Sequence, residues 1–91
     1  MTAHSEDTET RRRRLLWRAT HRGTREMDLV LGGFARAHLA TLTLSELDEF
    51  ERLISLEDPE IMGWVVGRQP VPAEYQSPLV EHILGFRPEI Y

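Results

Sequence analysis

The chain has 91 residues, of which 41% are hydrophobic, enough for the core of one small domain. It contains no cysteine, which excludes a disulfide framework and a thiolate metal site, and no apolar run long enough to span a membrane. The formal net charge of −4 is unevenly distributed, because residues 10–25 carry seven arginines and no acid, whereas residues 26–91 carry twelve acids and four arginines.

The first ten residues, Met1 to Thr10, are polar and acidic, and they lack periodic apolar residues. We expect them to form a disordered tail over 1–10. The stretch has neither the apolar core of a signal peptide nor the basic character of a transit peptide, so we expect a cytoplasmic protein.

The helical period predicts a first helix from Arg11 to His21, with Leu15, Leu16 and Ala19 on one side. A stripe of arginines runs beside that apolar side, at Arg11, Arg14, Arg18 and Arg22. Neighbouring arginines repel one another unless acidic groups neutralise them. The acidic groups can belong to the remainder of this chain, to a partner protein or to nucleic acid.

A tight corner, Arg22-Gly23-Thr24-Arg25-Glu26, follows the first helix. Glycine is favoured just after a helix because it adopts positive φ without steric conflict, and Thr24 is suited to cap the next helix. Glu26 lies where its charge is favourable near the start of a helix. A capped corner alone is enough to explain this pattern.

The second predicted helix extends from Met27 to about Leu42. Its core stripe consists of Met27, Val30, Leu31, Phe34, His38 and Leu42. Gly32-Gly33 in the middle predicts a kink or a close helix crossing. Leu29 falls on the opposite side, which indicates a contact surface.

Cap residues divide the remaining chain into three helices. Ser45 is the predicted cap of a third helix, and Asp58-Pro59 opens a fourth that ends at Gly67. Ser77-Pro78 opens a fifth helix, Leu79 to Leu84. The sequence therefore predicts an all-α protein, a small five-helix bundle over residues 11–86, followed by a tail over 87–91.

Chemistry typical of enzymes is missing from the pattern. None of the four histidines has a partner at metal-ligand spacing, and we expect His38 to lie at the edge of the core. There is no glycine-rich phosphate loop, since Gly32-Gly33 lies inside a helical pattern. A domain of this size hardly encloses a pocket for nucleophilic catalysis, so we do not expect an enzyme.

The corner Arg22-Gly23-x-x-Glu26, followed by Met27-Asp28, closely resembles the succinate dehydrogenase assembly factor family, the flavinylation factors called SdhE in bacteria. Further landmarks of the family pattern are Arg14-Leu15-Leu16-Trp17, Phe34-Ala35, Leu44-Ser45, and Asp58-Pro59 with Trp64. The resemblance covers about residues 11–86 and implies a compact five-helix fold.

The resemblance implies a chaperone-like binding module that docks on the flavoprotein subunit of succinate dehydrogenase, or of fumarate reductase. Such a module promotes covalent attachment of FAD to a histidine of that client, and we expect no FAD bound stably to this chain. The expected partner-binding residues are Arg22, Gly23 and Glu26 of the motif, with Arg18, Arg25 and Leu29 beside it.

In this hypothesis, each motif residue has its own role. Arg22 pairs with oxygens of the client, and Glu26 orients Arg22 or accepts a hydrogen bond from a client donor. Gly23 lets the two backbones approach closely, where a side chain would clash.

The main alternative is a small nucleic-acid-binding or antitoxin-like regulator that uses the basic segment Arg11–Arg25. Against it, the second helix is acidic and apolar, and only Arg36 on it is placed to read base edges. The acidic remainder also repels phosphate, so we expect no nucleic acid partner and no membrane insertion. A bundle that dimerises through Leu29 is a third possibility.

Overall fold

The computed structural model describes residues 6–86, and all regular structure in that range is helical. The α-helices are α1 (Thr8–Thr20), α2 (Arg25–Met27), α3 (Gly33–His38), α4 (Leu44–Ile54), α5 (Asp58–Val65) and α6 (Pro78–Gly85). A π-helical turn, Asp28–Gly32, joins α2 to α3, and 3-10 turns lie at Leu39–Thr41 and Ala73–Tyr75. Because residues 25–41 form one unbroken helical segment, the predicted all-α five-helix bundle is confirmed.

The first helix begins at Thr8 instead of the predicted Arg11. Asp7 caps it by accepting a hydrogen bond from the backbone N–H of Thr10 at 2.7 Å. Glu6 forms an ion pair with Arg14 at 2.9 Å, so acids assigned to the tail belong to the folded domain. Residues 1–5 and the predicted tail over 87–91 lie outside the described residues.

Two predicted caps are displaced along the chain. Thr43, rather than Ser45, caps α4: its side chain accepts from the Glu46 N–H at 3.1 Å, and the Glu46 carboxylate accepts from the Thr43 N–H at 2.9 Å. Glu57 precedes α5, and Asp58 is already its first residue. The prediction for Ser77 is confirmed, since it caps α6.

The core lies where the helical period predicts it. Phe34 and Phe50 are fully buried at its centre, with ring centroids 6.1 Å apart. Among the residues of the predicted second-helix stripe, Met27, Val30, Leu31, Phe34 and Leu42 are buried. His38 is half-buried beside Phe34, which confirms its position at the edge of the core.

A close crossing between α1 and the π turn sets the geometry of the corner that joins them. Gly32 is buried there, and a Cβ on it would lie 3.0 Å from Thr20 Cγ2 and 3.2 Å from the Ala19 carbonyl oxygen. The predicted close crossing at Gly32-Gly33 is therefore confirmed. It keeps the C-terminal end of α1 against the beginning of the next helical segment.

Candidate partner-binding site

The corner between α1 and α2 is a turn built on a glycine and a threonine cap. Gly23 has a φ of +102°, a conformation that side-chain-bearing residues rarely adopt. The side chain of Thr24 accepts a hydrogen bond from the Met27 N–H at 3.3 Å and so begins α2. Residues 23–26 are all exposed, so this turn forms an outer surface of the bundle.

Arg22, at the start of the corner, points into the protein. Its Nε donates to Asp58 Oδ1 at 2.9 Å, and its Nη2 lies 2.7 Å from the same oxygen. Nη1 donates to the Ile54 carbonyl, and Nη2 donates to the Leu56 carbonyl at 2.9 Å. The backbone N–H of Arg22 donates to Asp28 Oδ1 at 2.7 Å. The side chain is only 10% exposed, so its bonds cross-link the bundle.

These bonds correct the role predicted for Glu26 as the residue that orients Arg22, because Asp58 does so. Glu26 is exposed, and its carboxylate makes no hydrogen bond or ion pair with residues 6–86. The neighbouring Arg25 side chain is likewise exposed and unpaired within that range. Both charged groups are therefore available to a partner, whereas the guanidinium of Arg22 is already engaged.

The two remaining predicted residues differ in their relation to the corner. Arg18 is half-buried on the last turn of α1, and its Nη2 lies 3.5 Å from the hydroxyl of Ser55. It faces the same depression as Arg22. Leu29 lies on the π turn and is half-buried, outside both depressions described below, so a contact through it stays a prediction.

Two shallow depressions flank the corner, and the ridge between them is Asp58-Pro59. The first has a volume of about 280 Å³ and is lined by Trp17, Arg18, His21, Arg22, Leu56, Glu57, Asp58 and Pro59. The second, of about 260 Å³, is lined by Thr24, Glu26, Met27, Asp58, Pro59 and Met62. The structure thus joins the corner to the first turns of α5 in one continuous surface, which the motif alone did not predict.

Trp17 lines the first depression, although it was not among the predicted partner-binding residues. Its side chain is 61% exposed, and its ring stacks on that of His21 with centroids 4.1 Å apart and planes 9° from parallel. The signal was present in the sequence: Trp17 falls off the apolar side formed by Leu15, Leu16 and Ala19. A large aromatic residue on the polar side of an amphipathic helix indicates an interface.

Three of the four arginines in the stripe, Arg11, Arg14 and Arg22, pair with acids of this chain itself, whereas Arg18 has no acidic partner within residues 6–86. Arg11 lies 2.8 Å from Asp48 and 2.9 Å from Glu51, and Arg14 lies 2.9 Å from Glu6 and 3.1 Å from Glu51. The hydrogen bond from Arg14 holds the pKa of Glu6 below its ordinary value, and Asp48 raises the pKa of Arg11.

Arg12 is also engaged within the chain, since its guanidinium donates to the carbonyl oxygens of Leu39 and Leu42 at 3.2 and 2.9 Å. A basic stripe that already binds its own protein has fewer free cations for phosphate. The structure therefore gives the nucleic-acid alternative no support.

Two histidines approach each other in a way that the spacing did not predict. The rings of His38 and His82 have centroids 4.7 Å apart, next to Phe34. Within residues 6–86 no three or more His, Cys, Asp or Glu side chains are grouped so as to hold a metal ion. In the same range, no helix has the length and apolar character needed to cross a membrane.

The chain matches the family described as flavinator of succinate dehydrogenase over residues 13–87. It is 43% identical over 74 residues to the FAD assembly factor SdhE of Acetobacter pasteurianus, an alignment covering 81% of this chain and 68% of the relative. It is 44% identical over 71 residues to mitochondrial succinate dehydrogenase assembly factor 2 of Mycosarcoma maydis, covering 78% of this chain and 30% of the relative.

The protein of the same name from Yarrowia lipolytica is 36% identical over 84 residues, with 88% of this chain and 58% of the relative covered. The chain thus spans about two thirds of the bacterial relative and less of the two fungal ones. Since the family match includes the corner, the ridge and most of the bundle, the chain belongs to the family of succinate dehydrogenase flavinators.

Proposed function

We propose that this chain is an assembly factor that binds the flavoprotein subunit of succinate dehydrogenase and promotes covalent attachment of FAD to it. Membership of the flavinator family supports the reaction, and the names of the relatives support an assembly role. The corner surface supports the mode of binding, in which Gly23, Arg25 and Glu26 contact the client, with Arg18 and Trp17 beside them.

The observation that carries this proposal is a turn with a fixed backbone and free charged side chains. The Thr24 cap and the bond from the Arg22 N–H to Asp28 hold the backbone, while Arg25 and Glu26 have no partner within residues 6–86. A surface whose backbone is already ordered loses little conformational entropy on binding. Unpaired charges on such a surface favour a specific protein partner.

The residues around the turn indicate the chemistry of the client segment. Met27, Pro59 and Met62 give the second depression an apolar lining, and the Glu26 carboxylate lies at its edge. Trp17 offers an exposed aromatic face on the other side of the ridge. Exposed Trp and Arg side chains are typical anchors of interfaces. The matching client segment has an apolar side chain for the depression and a cation for Glu26.

The contribution of this chain to flavinylation is positioning rather than catalysis. Covalent attachment requires the C8 methyl of the flavin to lie against the acceptor imidazole, and the reactive groups belong to the flavin and to the client. A bound factor accelerates the step by holding the client in the arrangement that aligns them. The proposal includes release of the mature client and no stable binding of FAD to this chain.

A reconstitution tests the proposal. Apo flavoprotein subunit and FAD are incubated with limiting amounts of the chain, and flavin that remains on the subunit after denaturation is measured. Wild-type chain is expected to increase covalent flavin, and Glu26→Gln to lower that increase by about tenfold through loss of a charged contact. Glu81→Gln is the matched control, because Glu81 is exposed on α6 and unpaired within residues 6–86.

Two outcomes would contradict the proposal at different levels. No increase with wild-type chain would reject the assembly function. A normal increase with Glu26→Gln and with Arg25→Ala, each folded as judged by circular dichroism, would retain the function and reject the corner as the binding surface.

A further inference from the structure

The corner between α1 and α2 is bound to a second corner far along the chain. Arg22 and Asp58 are 36 positions apart, and the Arg22 Nη2 to Asp58 Oδ1 distance is 2.7 Å. Their side chains are only 10% and 17% exposed. The remaining hydrogen bonds of the guanidinium go to the carbonyls of Ile54 and Leu56. One side chain therefore ties together the end of α4, the linker and the first residue of α5.

Among the three partners of the Arg22 guanidinium within residues 6–86, Asp58 is the one that binds through its side chain, and it is the acidic one. The carbonyl oxygens are neutral, so Asp58 supplies the counter-charge for a guanidinium that is largely removed from water. Its location in the first turn of α5 also favours the carboxylate, because that end of a helix is positive. The sequence position of Asp58 predicts that it caps α5. It does not, because its carboxylate is used by Arg22.

The ion pair lies directly beneath the proposed binding surface. Asp58 and Pro59 line both depressions, and Gly23 follows Arg22 immediately in the chain. A change in the direction of Arg22 therefore alters the position of the exposed turn relative to Pro59 and Met62. The Glu26 side chain makes no hydrogen bond or ion pair within residues 6–86 that would hold it independently.

We propose that Asp58 is a positioning residue for the docking surface: through Arg22 it sets the exposed turn that carries Arg25 and Glu26 against the ridge of α5. This inference rests on the proposed function. It divides the motif into two parts, because Arg22 supports the surface from inside and Glu26 contacts the client.

Asp58→Asn in the full chain tests the inference, since it keeps the shape and one acceptor oxygen while removing the charge. Asp48→Asn is the matched control, because Asp48 also pairs with an arginine, Arg11 of α1 at 2.8 Å, but away from the corner. Affinity for the apo flavoprotein subunit is expected to fall about tenfold for Asp58→Asn, the effect of one charge-assisted hydrogen bond, and to be unchanged for Asp48→Asn.

Two further measurements separate positioning from a structural role and from direct contact. Amide hydrogen exchange on the free chain is expected to rise at residues 23–26 in Asp58→Asn, with the core amides unchanged. A double-mutant cycle with Glu26→Gln is expected to be non-additive, because the two substitutions disable one surface. If Asp58→Asn does not fold, Arg22→Lys, which keeps the charge and loses the fork, is measured in the same way.

Unchanged affinity of the variant while wild type binds would overturn the inference and leave the proposed function intact. Additive losses with Glu26→Gln would assign Asp58 to direct contact, and a uniform rise in exchange would assign it to global stability; either result overturns the inference. If wild-type chain does not bind the subunit, the proposed function and the inference fail together.

Discussion

Arginines form ion pairs with acids at two places, along α1 and just after it at Arg22, and the two places differ in burial. The α1–α4 seam, defined as Arg11 and Arg14 with Glu6, Asp48 and Glu51, has side chains between 21% and 72% exposed. The corner pair Arg22–Asp58 is 10% and 17% exposed. Exposed pairs contribute about 0–1 kcal/mol, whereas removing one partner of a desolvated pair is far more damaging.

The comparison teaches that an arginine-rich sequence does not reveal which arginine meets a partner. The arginines at both places are used within the chain, whereas the side chains of Arg25 and Glu26 on the exposed turn have no partner within residues 6–86. The seam attaches the first half of α1 to α4, while the corner pair lies beneath the exposed turn. In the proposed function, the docking surface therefore lies next to the less exposed of the two sets of ion pairs.

The largest expected effect is that of Arg22→Ala. It removes the side chain that binds Asp58 and two backbone carbonyls, and it leaves a nearly buried carboxylate unpaired. We expect the free energy of unfolding to fall by about 3 kcal/mol, measured by denaturant titration. Arg68→Ala is the control, because Arg68 is exposed and its side chain is unpaired within residues 6–86. Equal midpoints for the two variants would show that the bonds of the Arg22 side chain do not stabilise the fold.

Gly23→Ala is expected to have the next largest effect. A Cβ at this position would meet nothing within 4 Å, so any loss of stability comes from the φ of +102° alone. Such a conformation costs about 1–3 kcal/mol for a residue with a side chain. Gly85→Ala is matched, since it also has open space but no positive φ, and we expect no loss there. Similar stabilities for both variants would show that the turn is not held in this conformation.

Loss of an ion pair in the seam is expected to have a smaller effect on stability, and this effect depends on pH. Arg14 holds the pKa of Glu6 below its ordinary value, so this carboxylate stabilises the fold above its unfolded pKa, and the contribution is lost as the pH falls through the lowered value. We expect Glu6→Gln to lower the melting temperature slightly at pH 7, and we expect this difference to shrink as the pH falls below the ordinary glutamate pKa of about 4.3. A difference that persists undiminished at the lower pH would show that Glu6 acts by another route.

The smallest expected signal is binding to nucleic acid. Because Arg11, Arg12, Arg14 and Arg22 bind within the chain, we expect no shift of duplex DNA or RNA at about 150 mM salt. If wild-type chain binds duplex at that salt and Arg13→Gln does not, the attraction of the exposed arginines to phosphate is stronger than the repulsion by the acidic remainder.

Local sequence patterns predicted the number of helices and the buried residues, but they did not predict the contacts that form the site. Period and caps predicted the core, the crossing at Gly32 and the cap at Ser77. The π turn from Asp28 to Gly32 was not predicted, because a single extra residue in a helical turn leaves the apolar period almost unchanged. The start at Thr8 was missed since acids beside the arginine stripe were assigned to the tail.

The site depended on pairs that are distant in sequence. Asp58 has the local features of a cap, and only the approach of Arg22 across 36 positions gives it another partner. The same bond turns Arg22 inward, against the predicted pairing of Arg22 with the client, and leaves Glu26 free for the second of its two predicted roles, a contact with a client donor. Trp17 was available to a sequence argument, because its position on the polar side of α1 was already unusual for an aromatic residue.

The most direct test of the central claim is the footprint of the client on this chain. Hydrogen exchange of the full chain is compared with and without apo flavoprotein subunit, residue by residue. We expect protection at residues 17–27 and 57–62, with α6 unchanged. Protection confined to α6 or to the α1–α4 seam, with the exposed turn exchanging as in the free chain, would contradict it.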